Sequence, residues 1–361
     1  MAVSGNETKG VKNAWRSLVC AILLSAAPVC LMAEDQPRFF RIGTAATGGS
    51  FFEVGGLVAS AISSPSDGPP CGRGGSCGVP GLVAVAQATP GSIENLRLIN
   101  AGQIESGFAQ ADLAGWAYRG INAFAEAGPL PKLRAIASLF PEAAHLVVRA
   151  DSSIHSLADL AGKTVSVGET GSGSAADAAV LLAAAGFREK ELTRRYLRPG
   201  PAAEELKDGT LDAFFLVGGY PVPAIRDLAA AIPLRLVPIE GKIVDILKQD
   251  FHFYSQSDIP AGTYPGVDAA TPSLGFSALW VVNEDVEQPL VYAITKSLWD
   301  EQTAKLLAKL DPIGSRIRLQ RALEGVSIPL HPGAARFYRE IGMPVENAPQ
   351  AAAETFDPKQ P

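Results

Sequence analysis

The 361-residue chain is poor in the residues that most enzyme chemistry needs. It has four histidines and four cysteines, and neither type is grouped as metal ligands are. His145, His155, His252 and His331 stand far apart, and no H-E-x-x-H motif occurs. A zinc site of the usual kind has no ligand set here. No G-x-S-x-G nucleophile elbow is present either. Charged residues are scarce at 19% against 47% hydrophobic, which excludes a disordered or polyampholyte chain. The net charge is −6, so the basic surface that nucleic acid requires is missing. No repeat period points to a solenoid or propeller.

What is present begins with the N-terminus. Lys9, Lys12 and Arg16 precede an apolar run from Leu18 to about Met32, and Ala33 offers a small residue at its end. A positive region, a short apolar stretch and a small-residue end describe a secretory signal over residues 1–33. The run is short of the ~20 residues of a membrane-spanning helix, and no later run approaches that length. The expected location is therefore the periplasm. Lipidation at Cys30 is disfavoured because Val29 precedes it, where a lipoprotein signal carries a small residue. Removal of the signal takes away three cations and Glu7, which shifts the charge from −6 to −8. It also removes Cys20 and Cys30 and leaves Cys71 and Cys77 in a glycine-rich loop. An exported pair in such a loop reads as a disulfide.

A length of 361 residues suits two lobes. Strand-like runs at Phe39–Gly43, Leu82–Gln87, Ile104–Gln110, Leu133–Leu139, His145–Arg149, Thr164–Gly168 and Ala213–Val217 alternate with helical runs. Among the helical runs are Phe51–Ile62 and Ala175–Ala185. That alternation predicts an α/β fold of mostly parallel sheet with helices on both faces. After Leu279–Asn283 the chain reads as mainly helical, and 343–361 as a loose tail.

In open α/β sheets ligands bind beyond the carboxyl ends of strands, where loops lead into helices. Here those loops are made of Gly, Ser and Thr: Gly43–Ser50, Thr89–Ser92, Gly168–Ser174 and Gly218–Tyr220, with Gln110 ending another strand. Helix starts present backbone N–H groups and the positive end of the helix dipole. Glycine admits an anion close to that backbone. Several starts aimed at one cleft would hold a carboxylate without a buried Arg. Each loop taken singly also reads as an ordinary capped helix start. The first loop is not a phosphate loop, because Gly49 stands where that motif needs Lys. No metal, nucleotide or other cofactor is expected. Ser172 between glycines leaves an exported α/β hydrolase as the runner-up, and a ligand-sensing receptor for a signalling partner as a third reading. Glu169 is the carboxylate best placed for a site role, or else a helix cap.

The same loops carry a family resemblance. Ile42–Phe52 resembles the opening motif of the TAXI family, the extracytoplasmic solute receptors of tripartite (TRAP) transporters. Gly91–Leu96 is similar to its second motif. Gly107–Asp112 is similar to its G-F-x-Q-S-D, with Ala111 in place of Ser. Ser138–Glu142 with His145 resembles its Y-P-E…H, with Phe140 in place of Tyr. Leu160–Gly168, Gly171–Ser174 and Ile259–Asp268 match later segments.

The resemblance implies a two-lobed periplasmic-binding-protein fold of type II kind, with a cleft between lobes. The implied lobes are 36–150 plus 280–361, and 151–279, with crossings near Ala150 and Leu279–Asn283. It implies a monomeric, non-catalytic receptor that captures a small organic anion, such as a glutamate-like amino acid or a dicarboxylate. The receptor would hand its ligand to membrane TRAP subunits. Carried over by position, the ligand contacts are Thr47, Ser50, Phe51, Ser92, Gln110, Ser172, Ser174 and Tyr220. Ala111 and Phe140 each remove a family hydroxyl, so the ligand need not be glutamate.

Overall fold

The computed structural model describes residues 37–65, 77–188, 191–250, 254–310 and 312–345. The expected signal over 1–33, Cys71 and the tail from 346 onward lie outside these residues. Twelve strands are formed among the described residues: β1 (Arg38–Gly43), β2 (Ser63–Ser64), β3 (Val79–Pro80), β4 (Leu82–Gln87), β5 (Ser106–Gln110), β6 (Leu133–Arg149), β7 (Thr164–Ser166), β8 (Thr193–Arg195), β9 (Ala213–Gly218), β10 (Leu234–Leu236), β11 (Ser255–Ile259) and β12 (Thr271–Asn283). The α-helices are α1 (Ser50–Ile62), α2 (Ser92–Asn100), α3 (Ala111–Arg119), α4 (Gly173–Ala184), α5 (Pro199–Lys207), α6 (Pro223–Ala231), α7 (Lys242–Asp250), α8 (Gln288–Leu298), α9 (Glu301–Leu310) and α10 (Pro332–Glu340).

Ten of these strands build one mixed sheet in the order β4-β1-β5-β12-β6-β9-β7-β8, with β10 beside β6 and β11 beside β12, and β2 and β3 pair separately. The sheet is parallel at its two flanks, where β1 pairs β4 and β5, and β7 pairs β8 and β9. It is antiparallel through the centre, where β12 pairs β5 and β6, and β6 pairs β9. The fold is thus α/β, with helices flanking a central sheet.

The sequence reading split β6 into Leu133–Leu139 and His145–Arg149. The structure joins them into one 17-residue strand, nearly all of it buried. Strand β12 supplies partners from Leu133 to Ala143, and β9 takes over from Ala143 to Val147. Pro141 is carried because the β6–β12 register already shifts next to it, between Ala278 and Leu279. Burial on both faces explains why β6 and β12 are apolar runs without alternation.

Apolar side chains fill both faces. On one side Leu96, Trp116, Leu146 and Phe215 belong to a single cluster. On the other, Phe40, Phe51 and Trp280 pack with Val291, Ile294 and Tyr338 of the C-terminal helices. The last third of the chain therefore covers the strands that the first third lays down.

Candidate functional site

The carboxyl ends of β1, β4, β5, β7 and β9 all carry loops to helices, and several of these loops meet. Asn95, fully buried on α2, ties two of them to β5. Its Nδ2 donates to the carbonyls of Thr44 at 2.7 Å and Phe108 at 2.8 Å. Its Oδ1 accepts from the Thr89 hydroxyl at 2.7 Å. The starts of α2 and α4 touch: the Glu94 N–H donates to the Gly171 carbonyl at 3.3 Å. Gly91 holds φ +131°, and a Cβ there would stand 3.4 Å from the Ser172 Cα. Glycine adopts this backbone without cost and lets the two helix starts approach.

The result is a cleft enclosing about 610 Å³, its open mouth included. The starts of α1 (Ser50, Phe51), α2 (Ser92) and α4 (Gly173, Ser174) all line it. Much of the rest of the wall is apolar, with Leu197, Pro199, Phe214 and Leu216 among it. Two carboxylates, Glu142 and Glu169, belong to the lining, and no Lys, Arg or His side chain does. Neither Gly49 nor Gly91 offers a side-chain cap to α1 or α2.

The serines are held by backbone donors. Ser50 Oγ accepts from the Gly219 N–H at 3.0 Å. Ser172 Oγ accepts from Ala175 N–H at 3.1 Å as the cap of α4. Ser174 Oγ accepts from Val217 N–H at 2.9 Å. Each of these hydroxyls keeps its own hydrogen to donate. Ser92 is committed differently, since its Oγ donates to Gln110 Oε1 at 3.1 Å. Gln110 Nε2 in turn donates to Asp177 Oδ2 at 2.5 Å.

Behind this chain lies a buried acidic group. Asp112, Asp177 and Glu142 are each 1% exposed. Asp112 and Asp177 lie close enough for each carboxyl to act on the other. Burial raises all three carboxyls above the ordinary range, and the neighbouring Asp112 charge adds to the rise at Asp177 and Glu142. Burial also raises Glu169, against a smaller opposing pull from Arg198. His145 is a different kind of group. Val222 N–H donates to the Tyr264 hydroxyl at 2.9 Å, and that hydroxyl lies 2.9 Å from His145 Nε2. Nδ1 lies 2.9 Å from the Ala143 carbonyl. A tyrosine that accepts from Val222 gives its hydrogen to Nε2, so Nδ1 carries the ring hydrogen. Burial holds the ring neutral, with its pKa lowered from 6.5 to about 4.

The sequence matches the NMT1-like family over residues 42–342. The chain belongs to that family. The matched span contains every loop that lines the cleft. Among solved structures, the NMT1-like chain is similar to the alkanesulfonate-binding protein SsuA from Xanthomonas axonopodis pv. citri bound to MOPS, at 18% identity and a TM-score of 0.44, over 78% of this chain and 81% of that one. It is also similar to MatC from Rhodopseudomonas palustris with bound malate, at 15% identity and a TM-score of 0.48, over 76% of this chain and 88% of that one.

Of the residues singled out from sequence, the NMT1-like fold brings Ser50, Phe51, Ser92, Gln110, Ser172 and Ser174 to one cleft. It does not bring Thr47 or Tyr220 there. Thr47 is exposed and lines a separate shallow groove with Gly200, Ala224 and Asp227. The Tyr220 ring lies under the Arg316 guanidinium, 4.1 Å from centroid to carbon, and beside His145. Phe51 serves as wall, edge-on to Phe108 and Phe140. Sequence reasoning did not assign Asn95, Asp112, Glu142 or Asp177 to the site. The first three fall inside the quoted motifs, whereas Asp177 had no signal beyond its place one turn into α4.

Proposed function

We propose that this NMT1-like protein is a periplasmic solute-binding receptor that captures a small organic anion for a membrane transporter. The observation that carries this reading is the convergence of three helix starts and their serine hydroxyls on one apolar-walled cleft. Such a site stabilises an anionic group through backbone N–H donors and helix dipoles. The finer assignment, to a TAXI receptor of a TRAP transporter, rests on the ordered motifs from Ile42 to Asp268. The proposed lobes are 36–150 plus 280–361, and 151–279, joined by β6 and β12. Beyond the pairing of β6 with β9 and β10, contacts that bridge these halves beside the cleft include Ser50 to Gly219, Gln110 to Asp177, Glu94 to Gly171, and Ala224 N–H to the Gly48 carbonyl at 3.1 Å. A ligand touching both halves favours the closed form by its differential affinity for the two states. The hydrolase reading gains no support from the cleft. Ser172 Oγ is engaged as a helix cap, and no histidine belongs to the lining to take its proton.

Two substitutions test the receptor reading. Ser92→Ala and Ser172→Ala each remove a hydroxyl worth about 0.5–1.5 kcal/mol net, or up to about 3 where a charged partner is left short. Each is expected to weaken solute binding by roughly three- to hundredfold in a calorimetric titration. The fold should survive both, since loss of the Ser172 cap costs about 1 kcal/mol and loss of the Ser92 hydroxyl's hydrogen bond to Gln110 about 1–3 kcal/mol. Normal binding by Ser172→Ala would remove the α4 start from the site.

Export carries a second expectation. Cys71 and Cys77 are proposed to be bonded in the exported protein. Alkylation before reduction, followed by mass spectrometry, should leave both unmodified. Two alkylated thiols would end the pairing. Loss of so short a bridge should destabilise only modestly.

A further inference from the structure

Glu142 is the cleft residue that an anion alone does not explain. It sits in the middle of β6, 1% exposed, and its Oε2 has no hydrogen-bond partner. It lines the same cleft as the three helix starts. No basic side chain belongs to the lining, and Asp112 and Asp177 add to the acidity around Glu142. A solute that carries only negative charge would meet donors at the helix starts but would bring no partner of opposite charge to Glu142.

We infer that the cleft takes a zwitterionic solute, one bearing a protonated nitrogen as well as an anionic group, with Glu142 as the counter-ion of that nitrogen. This rests on the receptor reading and narrows it. The anionic group goes to the starts of α1, α2 and α4. The apolar wall of Leu197, Phe214 and Leu216 accommodates a hydrocarbon body. The nitrogen donates to the Glu142 oxygen that the protein leaves unpaired. An isolated buried carboxylate is costly, so without a solute Glu142 holds a proton, and the arriving cation replaces it. A charge-assisted hydrogen bond in a desolvated site is among the stronger polar contacts available to a small ligand. A dicarboxylate of the same length gains none of this. Glu142 is therefore a specificity-determining residue for amine-bearing solutes over their desamino analogues.

The test compares probes that differ only in the amine: L-leucine against 4-methylpentanoate, L-norvaline against pentanoate, and L-glutamate against glutarate. Each is titrated calorimetrically into the mature protein at neutral pH. In any pair that binds, the amino acid is expected to bind at least tenfold more tightly. Glu142→Gln keeps the side chain's shape and its capacity to donate but cannot balance a cation. It should lower amino-acid affinity tenfold or more and shrink the discrimination within the pair to less than threefold. If the desamino acids bind as tightly as the amino acids, the inference is overturned while the receptor reading stands, and Glu142 is then a neutral donor to an anion. If Glu142→Gln leaves the discrimination intact, the assignment to Glu142 is overturned. If no member of any pair binds, the receptor reading for solutes of this size fails along with it. The comparison on the unmodified protein decides the solute class even if Glu142→Gln does not fold.

Discussion

Gly173→Ala is expected to weaken solute binding roughly tenfold to a thousandfold, about 1.4–4.1 kcal/mol, and to lower global stability by about 1–3 kcal/mol. A Cβ at Gly173 would lie 1.4 Å from Gln110 Oε1 and 2.9 Å from Ser92 Oγ. The first distance is a direct overlap, so something must move. If Gln110 swings away, the hydrogen bonds Ser92–Gln110 and Gln110–Asp177 break, and buried polar atoms lose partners at about 1–3 kcal/mol each. If the first turn of α4 shifts instead, it retreats from α2 and opens the cleft. Both routes spoil the frame that positions the solute. Alanine gains up to about 1 kcal/mol over glycine in helix propensity, which offsets part of the cost to the fold but none of the cost to the site. Calorimetric titration alongside thermal unfolding separates the two effects. Binding within threefold of the unmodified protein would mean that the contact between Gln110 and the α4 start is not part of the site.

Asp177→Asn should raise the stability of the solute-free protein at pH 8 by about 1–3 kcal/mol, the scale of a buried polar group short of partners. Near pH 4 it should change stability little. Burial and the neighbouring Asp112 hold the Asp177 carboxyl well above its ordinary value. A group whose folded pKa is raised contributes stability that is present at low pH. That contribution is lost as pH climbs from the ordinary carboxylate range through the raised value. Asparagine keeps an oxygen to accept from Gln110 Nε2 and gains an N–H to donate to Asp112, with no charge to bury. His145 titrates in the opposite sense. Its pKa falls from 6.5 to about 4, so its contribution is whole above 6.5 and fades as pH drops toward 4. Over that window the two trends oppose each other in the unmodified protein. The diagnostic quantity is therefore the difference between variant and parent, measured by chemical unfolding from pH 4.5 to pH 8. A stability gain that does not grow with pH would mean that burial and Asp112 do not raise the Asp177 carboxyl in the fold.

Much of this site is legible in the sequence because its loops are made of residues with few other uses. Gly43–Ser50 and Gly168–Ser174 announce helix starts, and their place after strand-like runs puts them at the carboxyl ends of strands, where ligands bind in open α/β sheets. The acidic group was harder to read. Asp112 and Asp177 are 65 positions apart, and each follows a helix start where an acidic residue is ordinarily a solvated partner of the dipole. Only the sheet order, which seats α3 and α4 on the same side, turns them into a buried pair. Glu142 was hidden for another reason. Phe140-Pro141-Glu142 looks like a break between two strands, and a carboxylate in a break reads as exposed. Pairing to β12 carries β6 straight through it and buries the side chain. Tyr220 illustrates the converse. Its glycine-rich neighbourhood resembles the other loops, but the aromatic ring finds Arg316 and His145 before it finds the cleft.

The central claim, that a small solute is held where the starts of α1, α2 and α4 meet, is most directly tested by thermal unfolding of the mature protein. The protein is unfolded with a panel of amino acids and carboxylates, in parallel with Gly173→Ala. A solute at 100 times its dissociation constant stabilises by about 2.7 kcal/mol, which for a chain of this size raises the midpoint by roughly 5 °C. At least one compound is expected to give such a saturable rise in the parent and a much smaller one in Gly173→Ala. A panel that moves neither protein, or moves both equally, would contradict the claim.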